Sequence, residues 1–298
     1  MRFYLVTYRP LCDRAAGIQA AQRHGHPWFV DASCRREPDF EARRPSISAL
    51  CRGAMFAPRL RVGDVVVHVT KKGRYLGNAD PAWRLVSVMQ VARTFRDHSE
   101  AAAWYQVRGL ALPSNCLVVG NPPLDLKHTA SPTRDLDAWD DHYRERVIEN
   151  PIFHIGESLF RELIDPPVLT PQHMLDALGT DRLPRTPTSW PRCGIEGLLR
   201  MVGVEIAPLS LNELRQRTED AGSLAFRPAP LMPRSRSHDA CDARASGSCY
   251  PSRPSTASQD RDCRTAASPR SFERGRGALV RCISPLTPTP KNRWFRAL

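Results

Sequence analysis

Residues 62–70, VGDVVVHVT, decide the fold class of this chain. Five of these nine residues are valine, a β-branched residue that favours extended strands. Gly63 and Asp64 predict a turn at the start of the strand, because glycine accepts unusual backbone angles and aspartate can hydrogen-bond back to the turn. The next apolar run, WRLVSVMQV at 83–91, follows a polar loop at 71–78. The two runs therefore predict an antiparallel strand pair joined by a long loop.

Further strands and helices are predicted on both sides of this pair. Apolar runs predict strands at 3–8, 116–119 and 152–155. Capping residues and helical spacing predict helices at 99–109, 136–149, 170–179 and 194–201. Strands outnumber helices, and strand follows turn and strand along the chain. We therefore expect an α+β fold, a small mixed β-barrel with helices outside it.

Composition divides the chain into a folded head and a tail. The whole chain of 298 residues has a formal charge of +12, but residues 226–298 hold 14 Lys and Arg against 5 Asp and Glu. Residues 225–298 are rich in Arg, Pro and Ser and are predicted to be disordered. This tail is either a basic arm for nucleic acid or an extension without a selected sequence. The head is predicted as a barrel domain at 1–170 and a helical extension at 171–224.

The sequence predicts a cytoplasmic protein that does not enter a membrane. Its first ten residues hold too short an apolar run for a signal peptide, and no stretch approaches the ~20 apolar residues of a membrane span. The nine cysteines are an odd number and form no C-x-x-C pair. A disulfide framework is therefore not expected.

Residues 56–69, FAPRLRVGDVVVHV, and 84–91, RLVSVMQV, resemble the PUA-like superfamily, especially its EVE and ASCH branches. Within it, the chain is most similar to the nucleotide-modification-associated domain proteins of bacteria and phages. The resemblance extends over 1–170 and is carried by 52–94. It implies a PUA-like barrel that recognises a base within a DNA base-modification system.

Candidate residues for nucleic-acid binding lie in and near the predicted hairpin loop. Lys71, Lys72, Arg74 and Tyr75 combine cations with an aromatic ring, as nucleic-acid surfaces do. The same residues also fit a solvated hairpin tip whose lysines prevent edge pairing.

Two further candidates lie outside that loop. Arg52 is a candidate phosphate contact or an ordinary surface residue. Asn115 is a candidate for a base edge or for its own turn.

No complete catalytic, cofactor or metal motif occurs in the sequence. The group Asp135, Asp137, Asp140, Asp141 and His142 is predicted to be a solvated, acidic first turn of a helix. The spacing of Cys12, His24, His26 and Cys34 matches no common zinc site. We therefore expect no catalytic residue, metal or cofactor.

The sequence favours non-catalytic recognition of a modified or flipped base in DNA or RNA. An enzyme of base modification or nucleotide processing is the first alternative, with Asp64, His68 or the acidic group at 135–142 as its chemical groups. A protein-interaction module without a nucleic-acid role is the second. Oligomeric state does not follow from the sequence.

Overall fold

The computed structural model describes residues 1–130 and 135–219; the predicted tail at 225–298 lies outside them. Within these ranges the chain forms seven strands and six α-helices. The strands are β1 (Phe3–Tyr8), β2 (Ser46–Ser48), β3 (Val65–Thr70), β4 (Trp83–Phe95), β5 (Phe153–Arg161), β6 (Val168–Leu169) and β7 (Ser189–Trp190). The helices are α1 (Ala15–His24), α2 (His98–Val107), α3 (Leu136–Glu149), α4 (Pro171–Leu178), α5 (Arg192–Met201) and α6 (Leu211–Glu219).

The strands form one mixed sheet in the order β2-β5-β4-β3-β1-β7, with β6 paired to the start of β4. β3 and β4 are antiparallel, with Val67 opposite Val88, so the predicted strand pair is confirmed. β1 and β3 are parallel, with Val6 opposite His68. The carboxyl ends of β1 and β3 therefore meet at the same edge of the sheet.

The predicted α+β class is confirmed, but the predicted closed barrel is wrong. The sheet is open, and its outermost strands, β2 and β7, have three and two residues and do not pair with each other in the described ranges. The physical reason lies in these two edge strands, which are too short to form the ladder that would close the sheet. Short apolar runs predict where strands lie, but they do not predict the order in which the strands pair.

Both faces of β3 are buried, which explains its almost continuous run of valines. Val65, Val67 and Val69 pack with Phe3 and Leu5 in a cluster that helices α4 and α5 cover. The opposite face carries a second cluster, which includes Tyr4, Val6, Ile47, Phe56 and Val66.

The predicted turn before β3 is confirmed. Gly63 has a φ of 92°, a conformation that side chains with a Cβ rarely adopt. The Asp64 carboxylate accepts hydrogen bonds from the backbone N–H of Arg2 at 2.8 Å and of Arg61 at 3.0 Å. Asp64 therefore holds the entry to the strand, and its oxygens are occupied by the backbone.

The other local predictions are confirmed for some elements and wrong for others. Helix α3 has the predicted bounds, and α4 begins at Thr170 as its N-cap and ends at Gly179. Residues 116–119, predicted as a strand, form a loop because they pair with no neighbouring strand. Helices α1 and α6 and strand β2 were not predicted. No helix in the described ranges is long and apolar enough to cross a bilayer.

Candidate binding site

A cavity of about 330 Å³ opens at the carboxyl ends of β1 and β3. Val6, Thr7 and Tyr8 come from β1, and His68 comes from β3. Apolar and polar groups share the lining, which also contains Asp31, Glu37, Ile47, Ser48, Phe56 and Trp139. This cavity is large enough for a small planar ligand and has hydrogen-bonding groups in its wall.

Asp31 is a buried carboxylate that is held on one side only. Its Oδ1 accepts hydrogen bonds from Ser33 N at 2.9 Å, Ser33 Oγ at 2.5 Å and Glu37 N at 3.1 Å. Its Oδ2 has no hydrogen-bond partner among residues 1–130 and 135–219. Burial raises the pKa of Asp31, against the hydrogen bonds from Ser33.

Glu37 is buried beside Asp31, and protein donors satisfy both of its oxygens. Ser48 donates from its N–H to Oε1 at 2.9 Å and from its hydroxyl to Oε2 at 2.7 Å, and Asn115 Nδ2 donates to Oε2 at 3.0 Å. Burial outweighs these three bonds and raises the pKa of Glu37 to about 8. Glu37 therefore ties β2 to the loop at Asn115 beneath the cavity.

His68 contributes a neutral imidazole. Burial, and then the nearby Arg52 charge, lowers the pKa of His68 to about 3. Its ring meets Phe40 edge-on, with the centroids 4.9 Å apart. Its Nδ1 is buried and has no hydrogen-bond partner in the described part of the chain. An unpaired buried nitrogen of this kind is energetically costly.

Four cationic side chains, those of Arg9, Arg14, Arg52 and Lys71, line the same cavity. Asp13 lies 3.0 Å from Arg9 Nε and offsets part of this charge. Partial burial, and then the Arg9 charge, lowers the pKa of Lys71. Positive charge around an opening of this kind favours anionic ligands such as phosphates.

The predicted nucleic-acid-binding residues separate in the structure. Arg52 and Lys71 line the cavity. Lys72 lies 3.8 Å from Asp181 and 4.8 Å from the centre of the Trp83 ring, away from the cavity. Arg74 is exposed and is not part of the lining.

Tyr75 and Asn115 need correction as direct contacts. Tyr75 is only 1% exposed and packs edge-on against Phe29, so its ring has no open face for a base. Its hydroxyl donates to the backbone oxygen of Lys71 at 2.6 Å. Asn115 is fully buried, and its amide bonds to Glu37 and Ser46 rather than to its own turn or a free edge.

The predicted solvated acidic turn is also partly wrong. Asp135 is exposed and is the N-cap of α3, and Asp137 is exposed as predicted. Asp140, however, is buried and lies 2.6 Å from the Nε of the buried Arg35. Helical spacing within α3 could not reveal this pair, because Arg35 lies 105 residues before Asp140 in the sequence.

The cysteines and histidines considered for zinc do not form that site. Cys12 and Cys34 are buried in separate apolar clusters. His24 and His26 instead approach His128, with His26 Nε2 2.8 Å from His128 Nδ1. Within 1–130 and 135–219, no three His, Cys, Asp or Glu side chains have the arrangement of a metal site.

Sequence reasoning missed Asp31 and Glu37, the central polar groups of the cavity. They lie in a stretch, DASCRREPDF at 31–40, that has the composition of a polar loop but is almost entirely buried. A signal for the third polar group was present, because His68 is a histidine within a valine-rich strand. The sequence analysis considered His68 only as a chemical group of the enzyme alternative.

Comparison with models of protein families, with curated proteins and with solved structures found no match.

Proposed function

We propose that this protein recognises an unpaired or flipped base of a nucleic acid, without catalysing a reaction, in the cavity at the carboxyl ends of β1 and β3. The observation that carries the proposal is one cavity with three properties: apolar walls, the side chains of Asp31 and His68, each with an atom that has no hydrogen-bond partner within the described ranges, and cations in its lining. Base readers need a pocket for the ring, groups for the base edge and positive charge for phosphates. The cavity supplies each of them.

The residues differ from those that the sequence favoured, but the chemistry is the same. Lys71 and Arg52 keep their predicted role as phosphate contacts in this proposal. Asp31 and His68 replace Asn115 and Tyr75 as the groups that contact the base. A role in DNA base modification rests on the resemblance to nucleotide-modification-associated proteins and is part of the proposal.

Binding to single-stranded, mismatched and fully paired oligonucleotides tests this function. Removing a base from its stack costs least in a single strand and most in a matched duplex. We therefore expect affinity, measured by fluorescence anisotropy at low salt, to fall in that order. No binding to any oligonucleotide would reject the proposal.

An enzyme acting on the same ligand is the second candidate. Asp31, Glu37 and His68 line one cavity, and the Glu37 carboxyl, with a pKa of about 8, carries a proton at neutral pH. Such a group can act as a general acid. Incubation with nucleotides and oligonucleotides, followed by mass spectrometry, separates the candidates: a reader returns them intact, whereas product that Glu37→Gln abolishes indicates an enzyme.

A further inference from the structure

We infer that the ligand of this cavity carries an exocyclic amino group, as cytosine, adenine and guanine do, and that Asp31 and His68 are the residues that select it. The inference rests on the proposed function and names the class of base. It separates amino-bearing bases from thymine and uracil, whose exocyclic groups are oxygens.

The first step is the half-occupied carboxylate of Asp31. Three protein donors fix Oδ1, and this fixes the direction of the whole group. Oδ2 has no partner within the described ranges, although Asp31 is only 6% exposed and lines the cavity. A buried carboxylate oxygen accepts hydrogen bonds and cannot donate them. The matching ligand atom is therefore an N–H or O–H donor.

The second step is the contrast with Glu37. Both Glu37 oxygens are occupied, by Ser48 and by Asn115. Glu37 holds the Asp31 loop through its own N–H, which donates to Asp31 Oδ1. Of the two buried carboxyl groups, Asp31 is thus the one with a free oxygen, and Glu37 is a positioning residue.

The third step is the neutral imidazole of His68. A neutral ring has one N–H donor and one bare nitrogen acceptor. It lies in the same lining as Asp31 and has an unpartnered nitrogen. Together, in one cavity lining, the two residues supply an acceptor and a group that can donate or accept. A base edge with an amino group next to a ring nitrogen or ring N–H complements this arrangement.

An oxygen in place of the amino group reverses the interaction. For a base held in the same orientation, the O4 of uracil or thymine would face Asp31 Oδ2, and two acceptor oxygens repel each other without a proton between them. Sites that hydrogen-bond one group reject the analogue that lacks it, because their own polar groups then stay unpaired. The cationic lining binds phosphate with either base and does not discriminate.

Matched oligonucleotides test the inference directly. Each is a short single strand with one base, flanked by abasic positions, and each pair sets a base with an exocyclic amino group against one without it: cytosine against uracil, adenine against hypoxanthine, and guanine against hypoxanthine. We expect the amino base of at least one pair to bind at least roughly tenfold more tightly. Equal affinities within all three pairs would overturn the inference and leave the proposed function standing. Absence of binding by every strand would overturn both.

Two variants connect the preference to the named residues. Asp31→Asn can keep an oxygen at the Oδ1 position for its three donors and places an amide NH₂ at the Oδ2 position. The preference should therefore disappear or reverse towards uracil and hypoxanthine, while Asp137→Asn, which removes an exposed charge, should keep it.

His68→Phe preserves a planar ring against Phe40 and removes both nitrogens. It should reduce the preference roughly tenfold at unchanged salt dependence. Circular dichroism checks that each variant is folded. If both folded variants retain the wild-type preference, Asp31 and His68 do not select the base.

Discussion

Arg35 and Asp140 form a buried ion pair that joins the cavity loop to helix α3. Arg35 Nε donates to Asp140 Oδ1 at 2.6 Å, and Nη1 of the same guanidinium donates to the backbone oxygen of Asn121 at 2.9 Å. Burial alone would raise the pKa of Asp140, but Arg35 and then Arg144 outweigh it and lower that pKa. The pair fixes the loop that contains Asp31 and Glu37.

Asp140→Asn should destabilise the fold. It leaves the Arg35 charge buried without its partner, which typically costs about 3–5 kcal/mol. Urea denaturation measures the loss, and Asp137→Asn on the exposed side of the same helix should cost less than about 1 kcal/mol. Equal losses for the two variants would show that Asp140 behaves as a solvated helix charge after all.

Glu37→Gln should change how stability depends on pH. The folded protein holds a proton on Glu37 up to a pKa of about 8, whereas the ordinary pKa of a glutamate carboxyl is 4.5. Between these values the unfolded chain has released the proton, so rising pH favours unfolding by about 1.4 kcal/mol per pH unit. The Glu37→Gln variant has no titrating carboxyl at this position, so its unfolding free energy lacks this dependence on pH.

The difference in unfolding free energy, variant minus wild type, should therefore increase from pH ~5 to ~8 and then level off. Urea denaturation at several pH values measures it, and a fixed offset from changed hydrogen bonds does not affect the trend. A difference that stays constant with pH would mean that Glu37 is ionised in the folded protein at neutral pH.

Lys71→Ala should weaken oligonucleotide binding more than Lys72→Ala. Lys71 lines the cavity, whereas Lys72 lies beside Asp181 and Trp83. Loss of one phosphate contact should reduce the slope of log affinity against log salt by about 0.7–0.9. Anisotropy titrations at several salt concentrations measure both variants. A larger effect of Lys72→Ala would indicate that the phosphates contact the outer part of the loop at Lys72 rather than the cavity lining at Lys71.

Tyr75→Phe should reduce stability by about 0.5–1.5 kcal/mol, because the hydroxyl loses its hydrogen bond to the Lys71 backbone. The buried ring stays in its apolar cluster, so base preference should not change. Thermal melting and the matched oligonucleotides test the two parts. A loss of base preference with unchanged stability would restore Tyr75 as a direct contact.

The strands and helices that depend on local sequence were predictable. The valines of β3, the Gly63–Asp64 turn and the caps of α3 and α4 act within a few residues. The buried polar groups of the cavity were not predictable in this way. The hydrogen-bond donors to Glu37 are Ser48 and Asn115, which are 11 and 78 residues away in the sequence. These contacts exist only after the sheet forms. A histidine in a valine strand was the one local signal.

The position of β1 has a consequence for synthesis of the protein. β1 lies inside the sheet between β3 and β7, and Phe3 pairs with Trp190. Contacts between residues so distant in sequence slow folding, because the intervening chain must close first. The ribosome must therefore release most of the chain before its first strand has both neighbours. Until then one edge of β1 is unpaired, and exposed apolar residues at an unpaired strand edge favour aggregation.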